Sequence, residues 1–442
     1  MLIRFAVENF RSFRERMELN MQATALKDEG LDSNMFQPPG SQKKLLKSAV
    51  VYGNNASGKS NLMHALSALT YLVTESVNFN PDDPIRPYDP FLFEEKAKDD
   101  PVTFEAEFFS SGFVRYIYKV TFQSDRIIKE SLHFYPKTQK ALLFERKDRN
   151  NVKFGDAFTG EKKSLLNRLL ENQLLLSKAA NDNNKVVIPA YRFFSKHLNV
   201  FPYIPERREQ HLERLITRQI AESKDQAFRE KLRKLIKALD TGVENFQSKE
   251  TDWSDIAFPE GMPEKIKSQV KEELRFTLTT FHKYFKGDVE TGEAPMDIGN
   301  ESHGTQRLFR IGGLLLNELA RGGTLIMDEF EKNFHPRITR YLIELFHRDD
   351  VNPKNAQFLL ATHDVTQLSR EVFRRDQIWF TEKNDRGETE LFRASDIKDV
   401  RKSTPIDRWY LTGRLGATPA IDDFEFLMEM MKHGKTETTR EE

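Results

Sequence analysis

Residues 49–60 read Ala49-Val50-Val51-Tyr52-Gly53-Asn54-Asn55-Ala56-Ser57-Gly58-Lys59-Ser60. Four apolar residues predict a buried strand and the glycine-bounded stretch after them a loop. The spacing of Leu62, Met63, Ala65 and Leu66 predicts a helix. This is a Walker A pattern in its strand–loop–helix setting. Its glycines let several backbone N–H groups converge on one phosphate chain, and the helix start adds free donors and partial positive charge. The candidate nucleotide-binding residues are Gly53, Asn54, Asn55, Ala56, Ser57, Gly58, Lys59, Ser60 and Asn61. Lys59 would reach the β- and γ-phosphates and the Ser60 hydroxyl a magnesium ion, so ATP and Mg2+ are the expected cofactors.

The chain has 442 residues, enough for a large core with an insertion or for two lobes. Its 68 Lys and Arg cancel its 68 Asp and Glu, which argues against a globally basic nucleic-acid binder. With no cysteine there is no disulfide framework, thiolate metal site or cysteine nucleophile. Charges run throughout residues 1–20, and no apolar run reaches membrane-spanning length. A cytoplasmic protein without a membrane partner is the expectation.

Working outward, Ile3, Phe5 and Val7 predict one face of a strand, and Met17, Leu19 and Met21 one face of its antiparallel partner. Residues 26–48 read as a loop. After the helix at about 60–75, prolines mark an irregular connection. A strand meander follows through Val102–Phe108, Val114–Phe122 and Ile128–Phe134. From about 160 to 285 helical spacing dominates, with Gly242 placed to stop one helix and a strand-like run at Leu274–His282. A helix at 305–320 and strands at Thr324–Asp328, Gln357–Thr362 and Gln377–Phe380 complete an alternating α/β pattern. The expected fold is α/β, a P-loop core with a parallel sheet, an antiparallel β arm and a helical insertion. The expected domains are an N-terminal lobe at 1–155, a mostly helical insertion at 156–285 and a C-terminal lobe at 286–442.

Further motifs carry chemistry. The apolar strand Thr324–Met327 ends in Asp328 and Glu329, a Walker B pattern. Asp328 would hold the metal through its water shell, and Glu329 would polarise the attacking water. Ser302 and Gly304, in Glu301-Ser302-His303-Gly304-Thr305-Gln306, stand at a helix start where they could cradle a second anion site. His363 follows a strand in Ala361-Thr362-His363-Asp364, and Asn333-Phe334-His335-Pro336 lies just past Walker B.

In this order the motifs resemble those of stand-alone ABC-type, AAA-family ATPases of the RecF/SMC/OLD group. The closest likeness is to the type found in bacterial phage-defence and abortive-infection systems. The resemblance implies a head-to-tail homodimer or higher homo-oligomer with ATP between Walker A of one copy and the signature of the next. It makes Ser302 and Gly304 trans contacts, His363 the switch histidine at the γ-phosphate, and Lys59, Glu329 and His363 the catalytic set. It also places Arg11 near the adenine and ribose. No cysteine hook, long coiled coil or appended nuclease domain is read, so an effector (nuclease or toxin) would be a separate chain. The implied function is an ATP-hydrolysing, nucleotide-gated switch, the sensor ATPase of an anti-phage system. A RecF-like DNA-repair ATPase and a non-hydrolysing, ATP-glued assembly module remain alternatives. A DNA contact stays open at Lys137–Lys153 and Arg207–Arg218, which read better as solvated surface. No Q-loop residue is assigned; Gln123 lies on a candidate strand.

Overall fold

The computed structural model describes residues 1–418, apart from 27, 29, 150, 203–205, 223–225 and 255–257, and gives only the backbone of 206–208. Its centre is a six-stranded sheet in the order Leu198–Phe201, Thr324–Asp328, Gln357–Ala361, Ser48–Gly53, Ile378–Lys383, Thr389–Arg393. Only the last pairing is antiparallel. The inner strands Thr324–Asp328, Gln357–Ala361 and Ser48–Gly53 are mostly apolar because both faces are covered. Ala49, Val51, Ile326, Leu359 and Trp379 join one core, while Val50, Tyr52, Leu325, Phe358, Leu360 and Phe380 join the other.

The helix Lys59–Glu75 fills the first core with Leu62, Met63, Leu66, Leu69 and Val73, and a seven-stranded antiparallel sheet closes over it. That sheet runs from Val152–Phe154 through the meander to Leu2–Glu8 and Met17–Asn20. The N-terminal pair forms as the alternation predicts, with one correction. A register shift between Leu2 and Arg4 turns Ile3 away from Phe5 and Val7, into a small cluster with Met1, Leu45 and Phe109. At the start of Ile127–Tyr135, Ile127 rather than Ile128 is the buried residue, again beside a register shift. Gln123 lies just past the strand Arg115–Phe122 and donates to Asp99 O at 2.9 Å.

One buried side chain ties the two sheets together at their N-terminal ends. Gln357 Oε1 accepts from Leu2 N at 2.6 Å and Thr324 Oγ1 at 3.1 Å, and its Nε2 donates to the carbonyls of Leu2 and Leu46, both at 3.0 Å. All four hydrogen-bonding valences of the amide are thereby used.

Within residues 156–285 the longest helices are Glu206–Glu222 and Gln226–Ala238. The same stretch supplies Leu198–Phe201 to the central sheet, and its strand Val243–Glu250 pairs with Phe276–Lys286, which in turn pairs with Val289–Asp297 in a three-stranded sheet. The helices pack on His303–Arg321 over the second core. Among the described residues, no helix is long and apolar enough to cross a membrane. In the basic stretches Arg146 is buried, and Arg214 and Arg218 pair with Glu273, Glu222 and Glu272. The side chains of Arg207 and Arg208, and residues 419–442, lie outside the described residues.

Candidate functional site

In the central sheet, the strands ending at Asp328, Ala361 and Gly53 lie side by side and parallel, so their carboxyl ends share one edge. That edge is where open α/β sheets bind ligands. The phosphate loop is moulded against two later strands. A Cβ on Gly53 would lie 2.4 Å from both Ser57 Oγ and Thr381 Oγ1, and one on Gly58 2.3 Å from Thr389 Oγ1. Gly58 also holds φ +115°, and Ala56 is left-handed at φ 64°. Ser57 Oγ and Thr381 Oγ1 are 2.7 Å apart, and Thr389 Oγ1 donates to Ser57 O at 2.8 Å. Among the described residues no side chain caps the start of Lys59–Glu75, which leaves the first-turn amides to a phosphate.

Lys59 is buried, and its ammonium donates to the carbonyls of Gly53 at 2.9 Å and Asn54 at 3.0 Å. Burial lowers its pKa from 10.5 to about 8, against the opposing pull of Asp328, Glu331 and Glu329. Asp328 is the last residue of its strand, and its carboxylate lies close to the Ser60 hydroxyl. Burial pushes its carboxyl pKa up, and the nearby Ser60 hydroxyl pulls it back. A hydroxyl and a carboxylate close together at a phosphate loop are the oxygen donors a magnesium ion takes, so these residues fit that ion.

Glu329 leaves the strand in the left-handed region, φ 48°. Its N–H donates to Ala361 O and to Asp328 Oδ1, both at 3.1 Å, and its side chain is exposed. His363 opens the loop after the adjacent strand; burial and then Lys59 lower its pKa, opposed by Glu331 and Glu329. Tyr52, inside the Walker A strand, donates to Asp364 O at 3.1 Å and ties that loop to the sheet. Lys59, Ser60, Asp328, Glu329 and His363 are therefore brought together. Asn61 and Arg11 border them: Asn61 donates to Ser12 Oγ at 2.7 Å and accepts from Arg11 at 3.4 Å, while Arg11 Nε donates to Asp89 at 2.7 Å.

Ser302 and Gly304 stand apart from this group. Ser302 caps the helix His303–Arg321, accepting from Thr305 N at 3.1 Å, and a Cβ on Gly304 would lie 3.0 Å from Asn333 O. Neither makes a hydrogen bond to the phosphate loop among the described residues. The signature start thus abuts the turn after Walker B within the same chain.

Sequence reasoning missed Glu331. Its Oε1 accepts from His363 N at 2.9 Å, and its Oε2 is buried with no partner. The one available clue was a second acid two residues past Glu329. Thr381 and Thr389 were missed too, since lone threonines on distant strands carry no pattern.

A phosphate loop, a Walker B carboxylate beside it and a histidine on the neighbouring loop define a P-loop nucleotide-binding protein with its motifs in ABC-type order. A domain family described as "AAA domain, putative AbiEii toxin, Type IV TA system" matches residues 48–370, and the chain belongs to that family. No curated protein matches. Solved structures give loose likenesses. The SMC head domain from Thermotoga maritima is 11% identical, covers 89% of this chain and 98% of its own, and has a TM-score of 0.40. An Smc head domain with an extended coiled coil from Pyrococcus furiosus has 9%, 89%, 96% and 0.38. The recombination mediator protein RecF with ATP has 12%, 88%, 97% and 0.33.

Proposed function

We propose that this chain binds ATP with Mg2+ and hydrolyses it slowly, as a nucleotide-gated switch that controls a separate effector in an anti-phage defence system. The observation that carries the reading is a buried Lys59 whose ammonium is held by loop carbonyls, with the Walker B carboxylate of Asp328 close to the Ser60 hydroxyl. A γ-phosphate offers that ammonium a better partner, and the uncapped helix start supplies further donors. Ser60 and Asp328 would hold the magnesium ion, which when bound neutralises charge on the phosphates. Glu329 is the general base for water, and His363 senses the γ-phosphate. Ser302 and Gly304 act on the nucleotide of a second copy, so two heads close head to tail around ATP and reopen after hydrolysis. The family description, which names a toxin–antitoxin system, supports the defence reading.

The test is ATP turnover and nucleotide affinity of the purified full chain. Glu329→Gln should keep ATP affinity and lose about 10²–10⁴-fold in hydrolysis, as removal of a general base does. It should also accumulate as an ATP-dependent dimer in light scattering, and Ser302→Arg should abolish that dimer. ATP left intact by wild-type protein would overturn the hydrolytic reading. Strong stimulation of hydrolysis by duplex DNA would replace the defence reading with a DNA-repair one.

A further inference from the structure

The helical insertion is fastened to the signature helix, and the fastening reaches Walker B. A Cβ on Gly313 would lie 2.6 Å from Ile216 Cδ1, and one on Gly312 3.1 Å from Leu235 Cδ2, so both insertion helices sit close against His303–Arg321. Gln219 and Asn317 exchange two amide hydrogen bonds of 3.0 and 2.9 Å. One turn from the signature, Arg310 donates to Glu213 at 2.7 Å and to Glu209 at 3.1 Å. Arg307 pairs with the same Glu209.

Arg307 also faces inward. It is 3% exposed, its Nη2 donates to Glu329 O at 3.2 Å, and its guanidinium lies 5.7 Å from the centre of the Phe334 ring. Glu329 needs such support. A long side chain at φ 48° persists only where neighbours over-determine the backbone. The neighbours here are Ala361 O and Asp328 Oδ1 on its N–H, and Lys332 N and Arg307 on its carbonyl.

We propose that Arg307 is a positioning residue for Glu329, and that Glu209 on the insertion sets Arg307, so that force on the insertion gates hydrolysis. The inference rests on the functional reading above, in which Glu329 is the base. Glu209 is the only acid bonded to Arg307 among the described residues. Drawing Glu206–Glu222 away from the signature helix removes that counter-ion from a buried guanidinium, which must then reorient toward solvent. The Glu329 turn then loses one of its two carbonyl partners, keeping Lys332 N alone, and the carboxylate leaves its place without any change in the phosphate loop. ATP turnover is the output of this device.

Arg307→Lys keeps the charge but cannot span Glu209 and Glu329 O together. In the nucleotide-free full chain, hydrogen exchange of peptides covering 328–334 should quicken several-fold, on the order expected when a local turn loosens. Exchange along 308–321 and the melting temperature should stay at wild-type values. ATP turnover should fall about ten- to a hundredfold with the affinity for a fluorescent ATP analogue unchanged. Glu209→Gln should move both readouts in the same direction by less, and Arg310→Gln, which does not touch Glu329, by least. Wild-type exchange at 328–334 in Arg307→Lys would overturn the inference, whether or not the protein hydrolyses ATP. Unchanged turnover would overturn the gating. If Arg307→Lys loosens the whole fold, Glu209→Gln decides by the same peptides.

Discussion

Gly58→Ala isolates what the later strands do for the phosphate loop. An alanine there takes on φ +115°, and its Cβ meets Thr389 Oγ1 at 2.3 Å and Cγ2 at 2.6 Å. Thr389 cannot swing aside freely. Its hydroxyl donates to Ser57 O at 2.8 Å and contacts Ser12 Oγ at 2.7 Å, and its N–H donates to Ser12 O at 2.7 Å. Backbone strain costs about 1–3 kcal/mol and overpacking a further 1–3 kcal/mol, giving about 2–6 kcal/mol in all. Gly160 provides the control: at φ +100° its nearest neighbour would be Asn184 Nδ2 at an ordinary 3.6 Å, so alanine there bears the strain alone. Urea unfolding should therefore show Gly58→Ala less stable than Gly160→Ala by about 1–3 kcal/mol, with ATP binding lost only in the former. Adding Thr389→Ala to Gly58→Ala clears both short contacts and should recover part of the loss, a coupling that a double-mutant cycle measures. Equal stability of the two alanine variants, or zero coupling to Thr389, would refute the close backing of the loop.

Three further outcomes follow from the geometry. His347 is buried, its Nε2 2.7 Å from Ser48 Oγ, and burial and then Lys47 lower its pKa from 6.5 to about 3. The native state keeps it neutral while the unfolded chain takes up a proton below pH 6.5, so stability falls as pH drops from 6.5 toward 3. Between pH 7 and 5.5 the wild type should lose about 1 kcal/mol that His347→Gln does not, measured by urea midpoints. Gln357→Leu strands the N–H and carbonyl of Leu2 and the carbonyl of Leu46 at the joint between the sheets; calorimetry should show a loss of about 3–5 kcal/mol. Glu331→Ala removes the acceptor of the His363 amide. It should cost about 1–3 kcal/mol and speed hydrogen exchange at 361–365, with ATP affinity little changed.

The central sheet was legible because its strands are apolar on both faces, and Ala49–Tyr52, Leu325–Met327 and Phe358–Leu360 announce themselves by composition alone. The helix start at Ser302 was legible for a local reason: a serine cap three residues before Thr305 is a short-range pattern. Leu198–Phe201 was not singled out as a strand, since four residues inside a helical stretch show no period until Thr324–Met327 lies beside them. Ile3 changed faces because a register shift depends on the partner strand and not on alternation along the chain. Glu331 and Arg307 belong to the same class, since their meaning comes from His363 and Glu209, 32 and 98 positions away.

The braces behind the phosphate loop have a bearing on how this protein is made. Thr381 and Thr389 follow Ser57 by 324 and 332 positions. During translation the loop therefore emerges long before anything exists to hold it, and a ribosome must pass residue 389 before the seat for a triphosphate is complete. A message cut short ahead of those threonines would yield a polypeptide with every letter of the motif and no grip on the nucleotide.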